Sequence, residues 1–331
     1  MQNRTCRSLR TDNSTRFEAS PSDTNVASRH RLSRGRFFSL SKGGRVWNVL
    51  HFLKYGLGFR LGMRRAPHKD RGIGRINLLA VEHCNNSCSY CSTSSPFAGK
   101  RSHSVGAFFP WLDLLVQEGI QFTNIAITGG EPFLHSDLFA FIDGLDHRYA
   151  DKEIGLTTNF FWGSENKIRN LAPKLKSLDH MLISRYPNVV AKLGGETRFS
   201  ESVDLVRELC PHLDVAVSDM SHIIAWDLHT EQHTPTAYCC TSDCYTLRTD
   251  GNISHCSIGV GLENRPEYAE ILKKSRDRLY DLSQGVSGLL SWIRKYPFDL
   301  CSHCTLWQGV QVPWEPLKRQ PALNSCEAIK C

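Results

Sequence analysis

No stretch of this 331-residue chain approaches 18 uninterrupted apolar residues, which argues on sequence grounds against a membrane-spanning helix. No signal-peptide apolar core precedes the body, and no internal repeat recurs along the chain. Acids are scarce at the start: residues 1–75 hold four (Asp12, Glu18, Asp23 and Asp70) against 17 Lys and Arg, a net charge of +13. The other 256 residues hold 23 bases and 29 acids, a net charge of −6. The overall +7 therefore belongs to a basic leader and says little about the partners of the acidic body. Cysteine is also scarce there, with Cys6 alone in the first 83 residues of a chain that has 13. An odd count without secretory features argues against a disulfide framework and for a reduced, cytoplasmic setting. With 40% apolar and 22% charged residues, disorder throughout is excluded.

What is present divides the chain into five segments. Residues 1–43, rich in Ser, Arg, Asn and Thr, read as a disordered basic tail, with an organellar transit peptide as the other reading. In residues 44–75, Val46, Trp47, Leu50, Leu53, Leu57 and Leu61 recur at helical spacing among Arg45, Lys54, Arg60, Arg64 and Arg65. This is a basic amphipathic helix, packed on the body or, through residues 44–66, in weak contact with an anionic membrane surface. From residue 76 to 230 short apolar strands at 76–81, 124–128, 154–158, 180–184 and 213–217, with a sixth at 223–225, alternate with helices at 107–117, 136–145, 165–175 and 202–210. That alternation predicts an α/β fold on a parallel sheet, without choosing between an open doubly wound sheet and a barrel. Residues 231–310 read as a small α+β appendage: a hairpin turning at Asp250-Gly251, then helices at 266–282 and 287–295. Residues 311–331 read as a tail.

The chemistry lies in the cysteines. Cys84, Cys88 and Cys91 follow the first strand with spacing C-x3-C-x2-C. Three thiolates on one loop fit three irons of a cubane and leave the fourth iron open to an exogenous ligand. A zinc site is the alternative, with His83 as the local candidate for a fourth ligand. Gly129-Gly130-Glu131-Pro132 follows the second strand, where glycines permit close backbone approach and a carboxylate can accept from an ammonium. Thr158-Asn159 and Ser184-Arg185 stand at the ends of the third and fourth strands, where ligands sit in βα folds.

The three-cysteine loop, with Tyr90 just before its third cysteine, resembles the signature of the radical S-adenosylmethionine (SAM) superfamily. The Gly129–Pro132 run is similar to that family's GGE motif. The resemblance covers about residues 76–225 and implies a partial, open (β/α)6 barrel of TIM type. It further implies a [4Fe–4S] cluster on Cys84, Cys88 and Cys91. SAM would then be bound with help from Tyr90, Gly129, Gly130, Glu131, Pro132, Thr158, Asn159, Ser184 and Arg185. Arg185 stands as either a SAM contact or a catalytic proton acceptor. The glycine-rich pattern usual after the fifth strand is replaced by Val217-Ser218-Asp219.

A second constellation, Cys240, Cys244, Cys256, Cys301 and Cys304, suits zinc or iron–sulfur by its arithmetic alone. The Gly251-x4-Cys256 step and the Cys301-x2-Cys304 pair resemble the twitch domain, a shortened SPASM domain. That implies one auxiliary [4Fe–4S] cluster on Cys256, Cys301, Cys304 and either Cys244 or Cys240, with Cys239 as a further choice. Cys6, Cys210, Cys326 and Cys331 read as structural or incidental. The resemblance implies an oxidoreductase-type enzyme, fed by an electron donor such as flavodoxin or ferredoxin. Its expected substrate is a small polar or carbohydrate-like molecule, with a ribosomally made peptide as the second reading. A zinc-stabilised nucleic-acid-binding protein is the competitor from another class. The leader offers charge for phosphates but no recognisable binding fold, so no specific nucleic-acid partner is expected.

Overall fold

The computed structural model describes residues 72–232, 244–295, 297–306 and 310–317. The basic tail, and the amphipathic segment up to residue 71, lie outside the described residues, as do Cys6, Cys239, Cys240, Cys326 and Cys331.

Five strands form the parallel part of the main sheet: β1 (Gly72–Val81), β2 (Gln121–Gly129), β3 (Glu153–Thr158), β4 (His180–Arg185) and β5 (Asp214–Asp219). Their order in space is their order in the chain, and every neighbouring pair is parallel. Right-handed crossovers that always step in one direction put their helices on one face of the sheet. That is the winding of a barrel; a doubly wound sheet reverses direction at a switch point. The connecting helices are α1 (Phe109–Gln117), α2 (Leu138–Arg148), α3 (Glu165–Leu171), α4 (Pro187–Leu193) and α5 (Glu196–Leu209). Helix α4 is absent from the sequence reading, although its signals are present. Pro187 opens its first turn, and Gly194 closes it in the left-handed region at φ 98°.

The inner strands are apolar because both faces are covered. Ile76, Leu78, Ile125, Ile127, Ile154 and Ile183 are completely buried, in one core with Leu112, Phe141 and Leu145 from the helices. Among the described residues no helix is long and apolar enough to cross a membrane.

Three sequence expectations are corrected. The expected sixth strand exists as β6 (His222–Ile224), but it leaves the main sheet and pairs antiparallel with β10 (Gln311–Pro313). Residues 311–313, read as tail, are therefore a strand, satisfied by β6's backbone. The place beside β1 is taken by the hairpin strand β7 (Cys244–Leu247), parallel to β1, followed by β8 (Asn252–Ser254) and β9 (Leu279–Asp281). The sheet thus continues past β1 into the C-terminal region. The helix expected over 266–282 is broken: α7 (Ala269–Lys274) stops before Ser275, and Tyr280 pairs opposite Ile253. Leu279 and Leu282 fit a helical period, but unpaired groups on the edge of β8 made a strand the better partner. Two short helices frame this region with α7, namely α6 (Ser257–Gly261) before it and α9 (Asp299–His303) after α8 (Leu289–Arg294).

The hairpin turn is held on the core. Trp111 of α1 donates its indole N–H to Thr249 O at 3.0 Å, and its ring lies where a Cβ on Gly251 (φ 82°) would come within 2.8 Å.

Candidate active site

The cysteine loop begins where β1 ends, and the Gly129–Glu131 turn lies directly on it. Gly130 donates its N–H to Val81 O at 2.6 Å, and Glu131 to His83 O at 3.0 Å. A Cβ on Gly129 would meet Val81 O at 1.8 Å, and one on Gly130 would meet His83 O at 1.8 Å. Only glycine permits this contact, so the paired glycines join two loops nearly 50 residues apart, as in Gly130 on Val81 and Glu131 on His83.

The turn delivers Glu131 into a fully enclosed position. Its carboxylate accepts from Thr158 Oγ1 and the Asn159 N–H, both at 2.7 Å, and from the Phe133 N–H at 3.1 Å. It has no Lys or Arg partner among the described residues. Burial pushes its pKa up to about 7, the three donors pulling the other way. Three aligned donors and no cation describe a carboxylate waiting for a positive charge.

Asn159 connects this carboxylate to the cysteines. Its Nδ2 donates to Asn85 Oδ1 at 2.7 Å and faces Cys84 Sγ at 3.6 Å. Phe160, next in the chain, holds a left-handed backbone (φ 65°) while completely buried, and its N–H bonds Thr158 Oγ1. A non-glycine residue kept in that region costs roughly 1–3 kcal/mol, so packing is holding Asn159 in place.

The three thiols occupy one loop in related but unequal settings. Burial raises Cys84 to about 12 and Cys88 to about 11. Each also receives an N–H that favours the thiolate: the Asn86 backbone on Cys84 at 3.3 Å, the Trp314 indole on Cys88 at 3.2 Å. The Tyr186 hydroxyl bonds Cys88 as well, and Cys91 pairs with Thr93 Oγ1 at 3.4 Å. Partly to fully buried sulfurs with donors directed at them suit thiolates neutralised by iron. Among the described residues no three His, Cys, Asp or Glu side chains close on a single-ion site. A cubane does not ask for that, since each thiolate binds a different iron. The donor set therefore fits the cluster that the spacing suggests.

The remaining predicted residues are distributed as follows. Pro132 is buried in the first turn after Glu131. Tyr90 turns its ring outward, 38% exposed, and engages the site through its carbonyl, which accepts from Trp226 Nε1 at 3.1 Å. Ser184 is buried at the end of β4. Arg185 is gripped by Glu196 at 2.8 Å and Asp219 at 3.1 Å. Burial opposes its charge, but the two carboxylates prevail and hold its pKa above the ordinary value. A guanidinium fixed as a cation is a poor proton acceptor; its geometry suits a fixed positive charge.

Sequence reasoning missed Asn85, Asn86, Tyr186, Asn188 and Trp314. The asparagines had a signal, standing between the cysteines or just after Ser184-Arg185. Asn188 Nδ2 donates to Asn86 Oδ1 at 3.0 Å, tying α4 to the cysteine loop. Trp314 had none, being 226 residues from Cys88.

The second constellation is partly described. Cys256 caps α6, and Cys301 and Cys304 lie at α9, half-buried. Cys244 opens β7 with its backbone opposite Arg75. This region abuts the first loop: a Cβ on Gly261 of α6 would stand 2.0 Å from Thr93 O. Cys210, buried at the end of α5, donates to Ala172 O at 3.6 Å, in keeping with a structural role.

A sheet wound in one direction, with a three-cysteine loop after β1 and, after β2, a Gly-Gly-Glu turn that buries its glutamate, defines the class. Residues 79–225 match the radical SAM superfamily, and the chain carries a radical SAM domain. That family works with a [4Fe–4S] cluster and SAM.

Among curated relatives, a GTP 3′,8-cyclase of Nautilia profundicola is 32% identical over 127 residues, 38% of this chain and 39% of that protein. A GTP 3′,8-cyclase of Sulfurimonas denitrificans is 29% identical over 144 residues, 42% and 44% of the two chains. The matches thus span less than half the length of these relatives. Among solved structures, BtrN in complex with AdoMet and 2-DOIA is similar over 70% of this chain and 92% of that one, with 16% identity and a TM-score of 0.45.

Proposed function

We propose that this protein is a radical SAM enzyme whose catalytic cluster sits on Cys84, Cys88 and Cys91. The observation that carries the reading is Glu131: a fully buried carboxylate with three donors and no cation, one asparagine away from the first of three clustered thiols. A reduced cluster with SAM supplies a 5′-deoxyadenosyl radical that abstracts hydrogen from the substrate. The chain's own residues do the rest. Glu131 accepts from the methionyl ammonium of SAM, Gly129 and Gly130 allow the approach, and Asn159 orients groups beside Cys84. Arg185, kept cationic by Asp219 and Glu196, supplies positive charge at the C-terminal end of β4.

Cys256, Cys301 and Cys304, with Cys244 or Cys240, would hold one auxiliary [4Fe–4S] cluster in a twitch-like region. The substrate class is a small polar or carbohydrate-like molecule. Supporting this, the curated relatives act, by their names, on GTP, which is small, polar and sugar-bearing. The electron donor would be a flavodoxin or ferredoxin.

The test is anaerobic reconstitution with iron and sulfide, followed by reduction with SAM and detection of 5′-deoxyadenosine. Wild type should be brown, carry about eight irons for two cubanes, and cleave SAM. Cys84→Ala/Cys88→Ala/Cys91→Ala should keep the fold and lose cleavage. Cleavage surviving in the triple variant, or a colourless protein holding zinc, would refute the proposal.

A further inference from the structure

The last described residues, 310–317, are built into the cysteine loop. They enter beside β6, with the Ala225 N–H on Val310 O and the Trp314 N–H on Ser221 O, both 2.8 Å. They then cross the loop itself. Ser89 donates to Glu315 O from its N–H (3.3 Å) and its hydroxyl (3.1 Å), and Leu317 donates to Ser87 O at 2.7 Å. These backbone bonds surround Cys88, which itself bridges to Pro316. They fasten the strap through backbone atoms and do not involve the Trp314 side chain.

Its ring packs on Tyr186, centroids 5.9 Å apart, and its N–H points at Cys88 Sγ from 3.2 Å. Indole is a donor only. A neutral thiol is a weak acceptor and gives little reason to aim an indole at it. A thiolate bound to iron is a strong one. Hydrogen bonds to cluster sulfurs withdraw electron density and favour the state with the extra electron.

We infer that Trp314 is a positioning residue that raises the reduction potential of the cluster on Cys84, Cys88 and Cys91 by donating to the Cys88 sulfur, and that the 310–317 strap belongs to the catalytic site. This rests on the proposed function, since it needs the cluster to be there. The redox step is a one-electron gain by the cluster from an external low-potential reductant, with no bond made or broken.

The experiment is an anaerobic potentiometric titration of reconstituted full-length protein, followed by electron paramagnetic resonance. The signal that changes on adding SAM distinguishes this cluster from an auxiliary one. Trp314→Phe keeps an aromatic ring on Tyr186 and removes the N–H. At a fixed potential its ratio of reduced to oxidised cluster should fall about tenfold, which is about 59 mV for a one-electron couple. Trp314→His restores a ring N–H and should recover part of the ratio. Equal midpoints in wild type and Trp314→Phe would overturn the inference and leave the proposed function standing. If Trp314→Phe does not retain the cluster, Trp314→His decides. A cluster kept near the wild-type midpoint supports the donor role, and loss from both variants overturns it. A wild type that takes up no SAM-responsive cluster fails the proposed function itself.

Discussion

Glu131→Gln in the metal-free, reduced chain isolates the energetics of the buried carboxylate. Glu131 has its pKa raised from 4.5 to about 7, chiefly by burial. For an acid raised on folding, the protonated form is favoured in the folded state. Its contribution to stability is therefore full below pH 4.5 and lost as pH rises through about 7. Between pH 5 and pH 8 this one group should remove about 2 to 3 kcal/mol, from the raised pKa converted at roughly 1.4 kcal/mol per pH unit. Glutamine cannot ionise, so the variant loses that dependence. It also carries a fixed cost. If its oxygen serves Thr158 and Phe133, its NH2 opposes the Asn159 N–H and leaves a buried donor unpaired, at about 1–3 kcal/mol. Glu131→Gln should thus be the less stable protein at pH 5 and draw level with or pass wild type by pH 8. Urea unfolding followed by circular dichroism at four pH values gives the difference curve, in which groups common to both proteins cancel. A difference constant within about 0.5 kcal/mol over the range would refute the reasoning, because Glu131 would then titrate alike in both states.

Three other outcomes follow from the same geometry. Glu131→Gln in the reconstituted protein should bind SAM about 10- to 100-fold more weakly by equilibrium dialysis, the loss of one charge-assisted hydrogen bond. Gly130→Ala places a Cβ 1.8 Å from a backbone oxygen, so the turn must leave the cysteine loop; urea unfolding should show a loss of about 3 kcal/mol. Replacing Cys256, Cys301 and Cys304 by Ala should lower bound iron from about eight to about four per chain by chemical assay, with the SAM-responsive signal retained.

The alternation of short apolar strands with helices is local information, and it placed all five parallel strands. In β2 and β3 consecutive residues are buried, so both faces are covered and the apolar run is continuous, whereas β5 at the edge is largely exposed or half-buried. The Asp250-Gly251 turn was equally legible, since a positive φ demands glycine. The break of the 266–282 segment was not, because Leu279 and Leu282 satisfy a helical period, and β9 is only the three residues Leu279–Asp281. The free edge of β8 decided between them. The sixth strand was found in sequence but assigned to the wrong sheet, since nothing local to 222–224 says that its partner lies at 311–313.

The same division runs through the site. Thiol spacing on a loop and a Gly-Gly-Glu turn depend on neighbours a few residues apart, so the candidate chemistry was legible before any fold. What surrounds those groups came from folding. It enclosed Glu131 without a cation, fixed Arg185 between two carboxylates, turned the Tyr90 ring outward, and brought Trp314 to Cys88. Burial and long-range donors arise from packing between segments up to 226 residues apart. The scarcity of cysteine before residue 84 marked where the chemistry begins. The strap at 310–317 closes on that loop from near the other end of the chain.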